Sequence, residues 1–255
     1  KMIRLVTVTG SRTNTLKHML NHYKSMVDEM YVVVYEWDGF STYDAVEKIV
    51  KEFPTAQIIK RTTKEKFNWE YVTHLYNQTK MLFPNDWWIV SDDDEFQVYS
   101  KVISDIIKIC DESGYEFVTG GFVDRIGKNG TFAEIKEDSN LWELFPMAGF
   151  FRYPLSGACP NKVCVMKGSV NVTPGQHYVD FGDGKNSWGK DNIKHSKRYP
   201  IGRGEGLVQV HHFKWDSTCV DRIKAVADIK TDYSYSTEYQ QMYDAIKLNN
   251  FKIDI

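Results

Sequence analysis

The stretch Trp87-Trp88-Ile89-Val90-Ser91-Asp92-Asp93-Asp94-Glu95-Phe96 runs four apolar residues directly into three aspartates. A short, continuous apolar run bounded by polar residues reads as a strand covered on both faces, the habit of a parallel sheet between helix layers. Moving toward the N-terminus, the same pattern recurs three times. Residues 4–9 are a β-branched run ending at Gly10, and Leu16, Met19, Leu20, Tyr23 and Val27 follow at helical spacing. Residues 30–35 form a second apolar strand, and Val46, Ile49, Val50 and Phe53 mark a helix that stops before Pro54. Residues 57–61 read as a third strand, followed by a helix carrying Trp69, Val72, Leu75, Tyr76 and Leu82. Four βα units in succession predict an α/β fold with a mostly parallel central sheet flanked by helices.

Toward the C-terminus, Val102, Ile103, Ile106, Ile107 and Cys110 mark a further helix and residues 117–123 a further strand. The alternation then ends. Residues 124–205 are irregular, with strands expected near 162–166 and 176–179, a late strand at 207–213, and helices at about 217–230 and 236–249. No repeat, low-complexity tract or linker interrupts the chain, so residues 1–255 read as one domain.

Three acids directly after a buried strand lie where open parallel sheets bind ligands, at the carboxyl ends of the strands. Like charges packed this closely are costly unless a cation or protons compensate them. Carboxylate oxygens suit Mn²⁺ or Mg²⁺, with water and substrate phosphates completing the shell. The plainer alternative is an acidic start to a helix at Glu95. Asp93, in the middle, is expected to point away or to cap the turn.

Composition narrows the classes. Lys and Arg number 32 against 34 Asp and Glu, a formal net charge of -2, which leaves no basic surplus for a nucleic-acid backbone. Aromatic residues make up 14%, enough to stack on sugar rings, although most are expected in the core. The four cysteines, Cys110, Cys159, Cys164 and Cys219, show neither a CxxC pair nor zinc spacing. No apolar run approaches the ~20 residues of a membrane span and no signal-peptide pattern is visible, so a reducing, cytoplasmic setting is expected. The start at Lys1 ahead of Met2 fits one domain of a longer protein.

The acidic motif with its Glu95-Phe96 continuation resembles the Asp-x-Asp motif of GT-A-fold glycosyltransferases, especially family-2-like enzymes found in bacteria, plants and large DNA viruses. Phe122-Val123-Asp124-Arg125 with Gly127 and Gly130, Leu141-Trp142-Glu143-Leu144-Phe145-Pro146, Lys162-Val163, Gly175-Gln176-His177 and His211-His212-Phe213-Lys214-Trp215 resemble that group's later segments, in the same order. The resemblance implies a GT-A domain whose residues 1–100 bind a nucleotide sugar, with a UDP-sugar favoured. Residues 101–255 would then bind the acceptor, a glycan, glycoprotein or other hydroxyl.

The resemblance implies Asp94 as a direct ligand of Mn²⁺ or Mg²⁺, Asp92 on the metal or the ribose, and His212 as a third ligand. His211 and His212 should face opposite sides of their strand. Thr9, Gly10 and Arg12 after the first strand, Glu36 and Asp38 after the second, Arg61 after the third, and Asn68, with Asp93, form the expected donor-binding set. Trp69 is expected in the core, and Asn77 beside the donor. Arg12 and Arg61 read equally as phosphate ligands or as surface salt bridges. Inverting transfer needs a general base near the acceptor hydroxyl. Asp124 is the first choice, with Glu143, Asp180 and Asp191 as rivals, because the Glu-Asp pair of other family-2 members is absent. His177 would orient acceptor or phosphate, or is simply a buried, satisfied histidine.

Rival classes fit less well. A P-loop ATPase lacks its motif altogether. A nucleotidyltransferase would show a Gly-rich basic loop after the first strand, of which Gly10-Ser11-Arg12-Thr13-Asn14 is a poor version. A non-catalytic carbohydrate-binding module would explain the aromatics but not the acids.

Overall fold

Strands β1 (Ile3–Thr9), β2 (Glu29–Trp37), β3 (Ala56–Lys64) and β4 (Trp87–Val90) alternate with helices α1 (Leu16–Tyr23), α2 (Tyr43–Val50) and α3 (Trp69–Lys80). They pair in parallel in the order β3-β2-β1-β4. The computed structural model describes residues 1–149, 159–187, 208–229 and 234–255.

Beyond β4 the sheet becomes mixed. β5 (Glu95–Val98), helix α4 (Ile103–Ser113), β6 (Phe117–Ile126), the short helix α5 (Leu141–Leu144), β7 (Met147–Gly149), β8 (Asn161–Lys167) and β12 (Val208–His212) complete its half of the chain. The full order is β3-β2-β1-β4-β8-β6-β12-β5, with β7 beside β6. β8 runs antiparallel between β4 and β6, β12 is parallel to β6, and β5 and β7 are antiparallel edges. Strands β9 (Asn171–Val172), β10 (Val179–Gly182) and β11 (Lys185–Asn186) form a separate small sheet. The chain closes with α6 (Cys219–Ala227) and α7 (Ser234–Leu248).

The strand alternation sorts the core into two layers. Leu5, Val32, Val34, Trp87 and Ile89 pack under α1, α2 and α4, while Val6, Val33, Tyr35, Trp88 and Val90 pack under α3. Successive side chains point to opposite faces, so a run that is apolar throughout must be covered twice. A third cluster joins Ile126 and Trp215 to Cys219, Ile223, Met242 and Ile246 on the last two helices. That cluster seats α6 and α7 beside the tip of β6.

Two local expectations, and the alternative of a helix start at Glu95, differ from the structure. Glu95 opens an edge strand rather than a helix, because β12 offers it a ladder from Gln209 to His212. α3 ends at Lys80, which leaves Leu82 exposed, since Pro84 restricts the preceding residue and cannot extend a helix. The strand expected at 176–179 is instead a 3-10 turn, Pro174–Gln176, followed by β10. All four cysteines are free thiols, Cys110 buried as expected. No helix among the described residues is long and apolar enough to cross a membrane.

Candidate active site

A tight turn links β4 to β5 and carries the acids. The Glu95 amide donates to the Asp92 carbonyl at 3.0 Å and the Ser91 hydroxyl to the Glu95 carbonyl at 2.7 Å. The Phe213 amide, just past β12, donates to the Asp94 carbonyl at 2.8 Å. The turn is thus fixed by its own backbone and by a strand over a hundred residues away in sequence.

Within this turn each acid has a different neighbour. Asp92 accepts from the Tyr76 hydroxyl at 2.6 Å and faces the Lys162 ammonium at 3.5 Å. Asp93 accepts from the Thr9 hydroxyl at 2.6 Å, so it turns toward the tip of β1 rather than away from the site. Asp94 pairs with Arg12 at 2.6 Å and lies 3.5 Å from His212 Nε2. Glu95 takes one Lys162 bond at 2.9 Å, and its Oε2 is buried without a partner among the described residues.

These neighbours separate the acids electrostatically. Burial and the adjacent Asp94 charge push the Asp93 carboxyl up to about 7. Burial works on Asp94 in the same sense, but the charges of His212 and Arg12 outweigh it and hold that carboxyl well below its ordinary value. Burial also raises Glu95 to about 7, against the pull of Lys162.

β6 and β12 bring in the remaining chemistry. His212 Nδ1 lies 3.5 Å from Asp124 Oδ1, which also accepts from the Trp215 indole at 3.1 Å. Burial would lower the His212 imidazole, yet the attraction of Asp94 and bonding to Asp124 raise it to about 9. His211 points to the opposite face, packing edge-on to Trp142 and meeting Gln209 Oε1 at 2.9 Å, and burial lowers it to about 4. Among the described residues, ligand atoms of Asp94, Glu95 and His212 all fall within 4.8 Å of one another. Two carboxylates and an imidazole suit Mn²⁺ or Mg²⁺, so the residues fit such an ion. Glu95, rather than Asp92, completes the group.

Two cavities open on this acidic turn. The first, about 130 Å³, is walled by Thr9, Tyr35, Trp37, Phe67, Val72 and Val226. The second, about 380 Å³, is walled by Phe122, Asp124, Lys162, His177, His212 and Tyr235. They meet where Trp69, Asp92, Asp94, Lys214, Arg222 and Tyr239 line both. Residues of the C-terminal helices, Val226 and Tyr239 in the first cavity and Tyr235 and Met242 in the second, therefore wall both.

Several expected residues have structural partners of their own. Gly10 lines the first cavity, but its small size is demanded by the chain: a Cβ there would lie 1.7 Å from the Tyr35 carbonyl oxygen. Arg12 lines the first cavity but is buried, paired with Asp94 at 2.6 Å and with Asp216 at 3.0 Å. Glu36 and Arg61 pair with each other at 3.1 Å, and neither lines a cavity described above. Tyr35 and Trp37 face the first cavity, so the residue between them must face away. Asp38 is exposed in the turn after β2, and Asn68 caps α3 by accepting from the Tyr71 amide at 2.7 Å. Trp69, expected in the core, lines both cavities, and Asn77 bonds the Val172 backbone in both directions. Glu143 and Asp180 are exposed and line neither cavity, while Asp191 lies outside the described residues. His177 lines the second cavity with Nδ1 at 2.8 Å from the Asn161 carbonyl, and burial lowers it to about 4.

Lys162, Lys214, Asp216, Arg222 and Tyr239 belong to the site and had no assigned role in sequence. Lys162 and Lys214 sit in the segments Lys162-Val163 and His211–Trp215 that carry the family resemblance, and that is their signal in the sequence. Nothing local to Asp216 or Arg222 indicates that their chain returns to the β1 tip.

No protein-family model matches the chain, and no curated protein matches it by sequence. Among solved structures, S. aureus TarS 1-349 in complex with UDP is 10% identical, with 98% of this chain and 72% of that one covered, at a TM-score of 0.39. A 4-diphosphocytidyl-2C-methyl-D-erythritol synthase is 14% identical over 66% of this chain and 75% of that one, at 0.34. A putative glucose-1-phosphate thymidylyltransferase from Bacillus anthracis is 8% identical over 96% and 82%, at 0.34. Scores this low carry neither fold nor function across; the α/β architecture rests on the sheet order of the chain itself.

Proposed function

We propose that this chain is a metal-dependent glycosyltransferase of GT-A type that moves a sugar from a nucleotide-sugar donor, a UDP-sugar, to an acceptor hydroxyl with inversion. The observation that supports this best is the meeting of two cavities at the acidic turn after β4. One cavity is narrow and aromatic, the other wider and rich in titratable groups, so a donor and an acceptor can meet at the acids between them.

The narrow cavity suits a nucleobase. The indole N–H groups of Trp37 and Trp69 are buried with no acceptor among the described residues, and both residues line it. A base carrying carbonyl oxygens, as uracil does, would relieve two unpaired donors that are costly when buried. Asp94, Glu95 and His212 would hold Mn²⁺ or Mg²⁺, which when bound neutralises charge on the departing diphosphate.

Asp124 is the base this reading favours, because it lines the wide cavity and is steered by Trp215 and His212. It takes the acceptor's proton as the acceptor oxygen bonds to the anomeric carbon. The bond from that carbon to the β-phosphate oxygen breaks, and its electron pair leaves with the nucleoside diphosphate. Arg12 and Lys162 keep the clustered acids apart by pairing with oxygens on either side of the turn.

The test is a panel of nucleotide sugars measured for donor hydrolysis and for thermal stabilisation, each with Mn²⁺ and with EDTA. A Mn²⁺-dependent melting shift for one nucleotide, with slow sugar release that Asp94→Asn abolishes, is expected. A chain indifferent to every nucleotide, with and without metal, would leave a non-catalytic binding module as the better reading.

A further inference from the structure

We infer that Lys214 is the residue that seats the donor's diphosphate, and that it does so independently of a divalent cation. This rests on the nucleotide-sugar reading above and adds to it the group that holds the leaving end.

The charges around the neck between the cavities can be paired off. Arg12 is engaged by Asp94 and Asp216, and Arg222 lies 3.5 Å from the same Asp216 carboxylate. Lys162 is shared by Asp92 and Glu95. Lys214 is the remaining cation lining both cavities, and among the described residues it has no carboxylate partner. Its ammonium instead sits over the rings of Trp215, 5.2 Å from the centroid, and Tyr239, at 4.8 Å.

That placement is built from three elements. The Lys214 carbonyl accepts from Arg222 at 2.8 Å, which ties the residue's backbone to α6. Tyr239 comes from α7, and Trp215 is anchored by its indole bond to Asp124. A half-buried ammonium held over two aromatic faces keeps its N–H donors for an incoming anion, since the ring quadrupole satisfies charge without accepting them strongly. A ligand with its base in the narrow cavity and its sugar in the wide one must carry its linking group through this neck. In a nucleotide sugar the linking group is a diphosphate. Lysine engages phosphate as a point charge, so it tolerates the change in geometry as the diphosphate departs.

The experiment is calorimetric binding of uridine, UMP, UDP and inorganic pyrophosphate to the wild-type chain and to Lys214→Met and Lys214→Arg, each in Mn²⁺ and in EDTA. Circular dichroism and melting confirm that the variants fold. The expected result is about tenfold weaker UDP and pyrophosphate binding by Lys214→Met in both conditions, the size of one lost charge-assisted hydrogen bond. Uridine binding stays within about twofold, and Lys214→Arg recovers most of the loss. If wild-type chain binds UDP and Lys214→Met retains the full gain from uridine to UDP, the role of Lys214 is refuted while the donor reading stands. A loss seen only with Mn²⁺ present would also overturn it, by making Lys214 an accessory to the metal. If wild-type chain binds neither UDP nor pyrophosphate, both readings fall together.

Discussion

Removing the carboxylate of Asp216 should cost more stability than any other single side-chain deletion around the site. Asp216 is fully buried and accepts from Asn14 at 2.6 Å and from the Thr218 amide and hydroxyl at 3.0 and 2.7 Å, besides pairing with Arg12 at 3.0 Å. It thereby ties the β1 tip to the start of α6. In Asp216→Ala the buried Arg12 guanidinium keeps the Asp94 carboxylate and the Phe213 carbonyl but loses one of its two ion pairs, and breaking one side of a buried ion pair costs about 3–5 kcal/mol. The hydrogen bonds from Asn14 and Thr218 are part of the same network, so their separate values do not simply add. A loss of about 4 kcal/mol is roughly three decades in the folding equilibrium. Urea denaturation reads this as a fall in midpoint at unchanged slope. Asp216→Asn, which keeps an acceptor but not the charge, should fall between wild type and Asp216→Ala. The double variant Arg12→Met/Asp216→Ala should lose less than the sum of the two single losses, because the orphaned charge is gone. A loss below about 1 kcal/mol for Asp216→Ala, or strict additivity in the double variant, would refute a coupled buried network.

Lys80 is fully buried and bonded to the Val170 carbonyl, and burial lowers its ammonium to about 7. The unfolded chain therefore binds this proton between pH 7 and about 10 while the folded chain does not, so this group's contribution makes stability rise with pH across that window. Lys80→Met should flatten the rise by a few kcal/mol, seen in urea midpoints from pH 6 to 10; an unchanged pH slope would contradict the burial argument. Trp69→Ala should weaken UDP binding by up to about tenfold while leaving the melting temperature close to wild type, since the ring lines cavities rather than core. Gly10→Ala should abolish soluble expression or lower the melting temperature sharply, because the new Cβ would sit 1.7 Å from the Tyr35 carbonyl and backbone would have to move. A Gly10→Ala chain with wild-type melting would mean that the β1 tip adapts freely.

What the sequence determined by itself was the first half of the fold and the place of the acids. Apolar runs of four to six residues at β1, β2 and β4, separated by 3.6-period helices, point to a covered parallel sheet, and β1 to β4 pair accordingly. The same logic put Asp92, Asp93 and Asp94 at the end of β4, and strand alternation put His211 and His212 on opposite faces. Tertiary structure decided which neighbour each acid meets. Arg12 reads in sequence as a loop arginine after a strand, equally fit for a phosphate or a surface pair. It is buried because Asp216 returns to it from the far end of the chain. Glu36 and Arg61 satisfy each other because β2 and β3 are adjacent and Glu36, opposite Thr63, lies diagonal to Arg61, a pairing fixed by the sheet rather than by either residue. Lys162 reaches Asp92 and Glu95 only because β8 inserts antiparallel beside β4, which no local pattern foretells. Periodicity reports the faces of one element, set by backbone geometry a few residues long. Partners across the sheet depend on strand order, and on helices such as α6 and α7 that the hydrophobic cluster around Trp215 draws over the site.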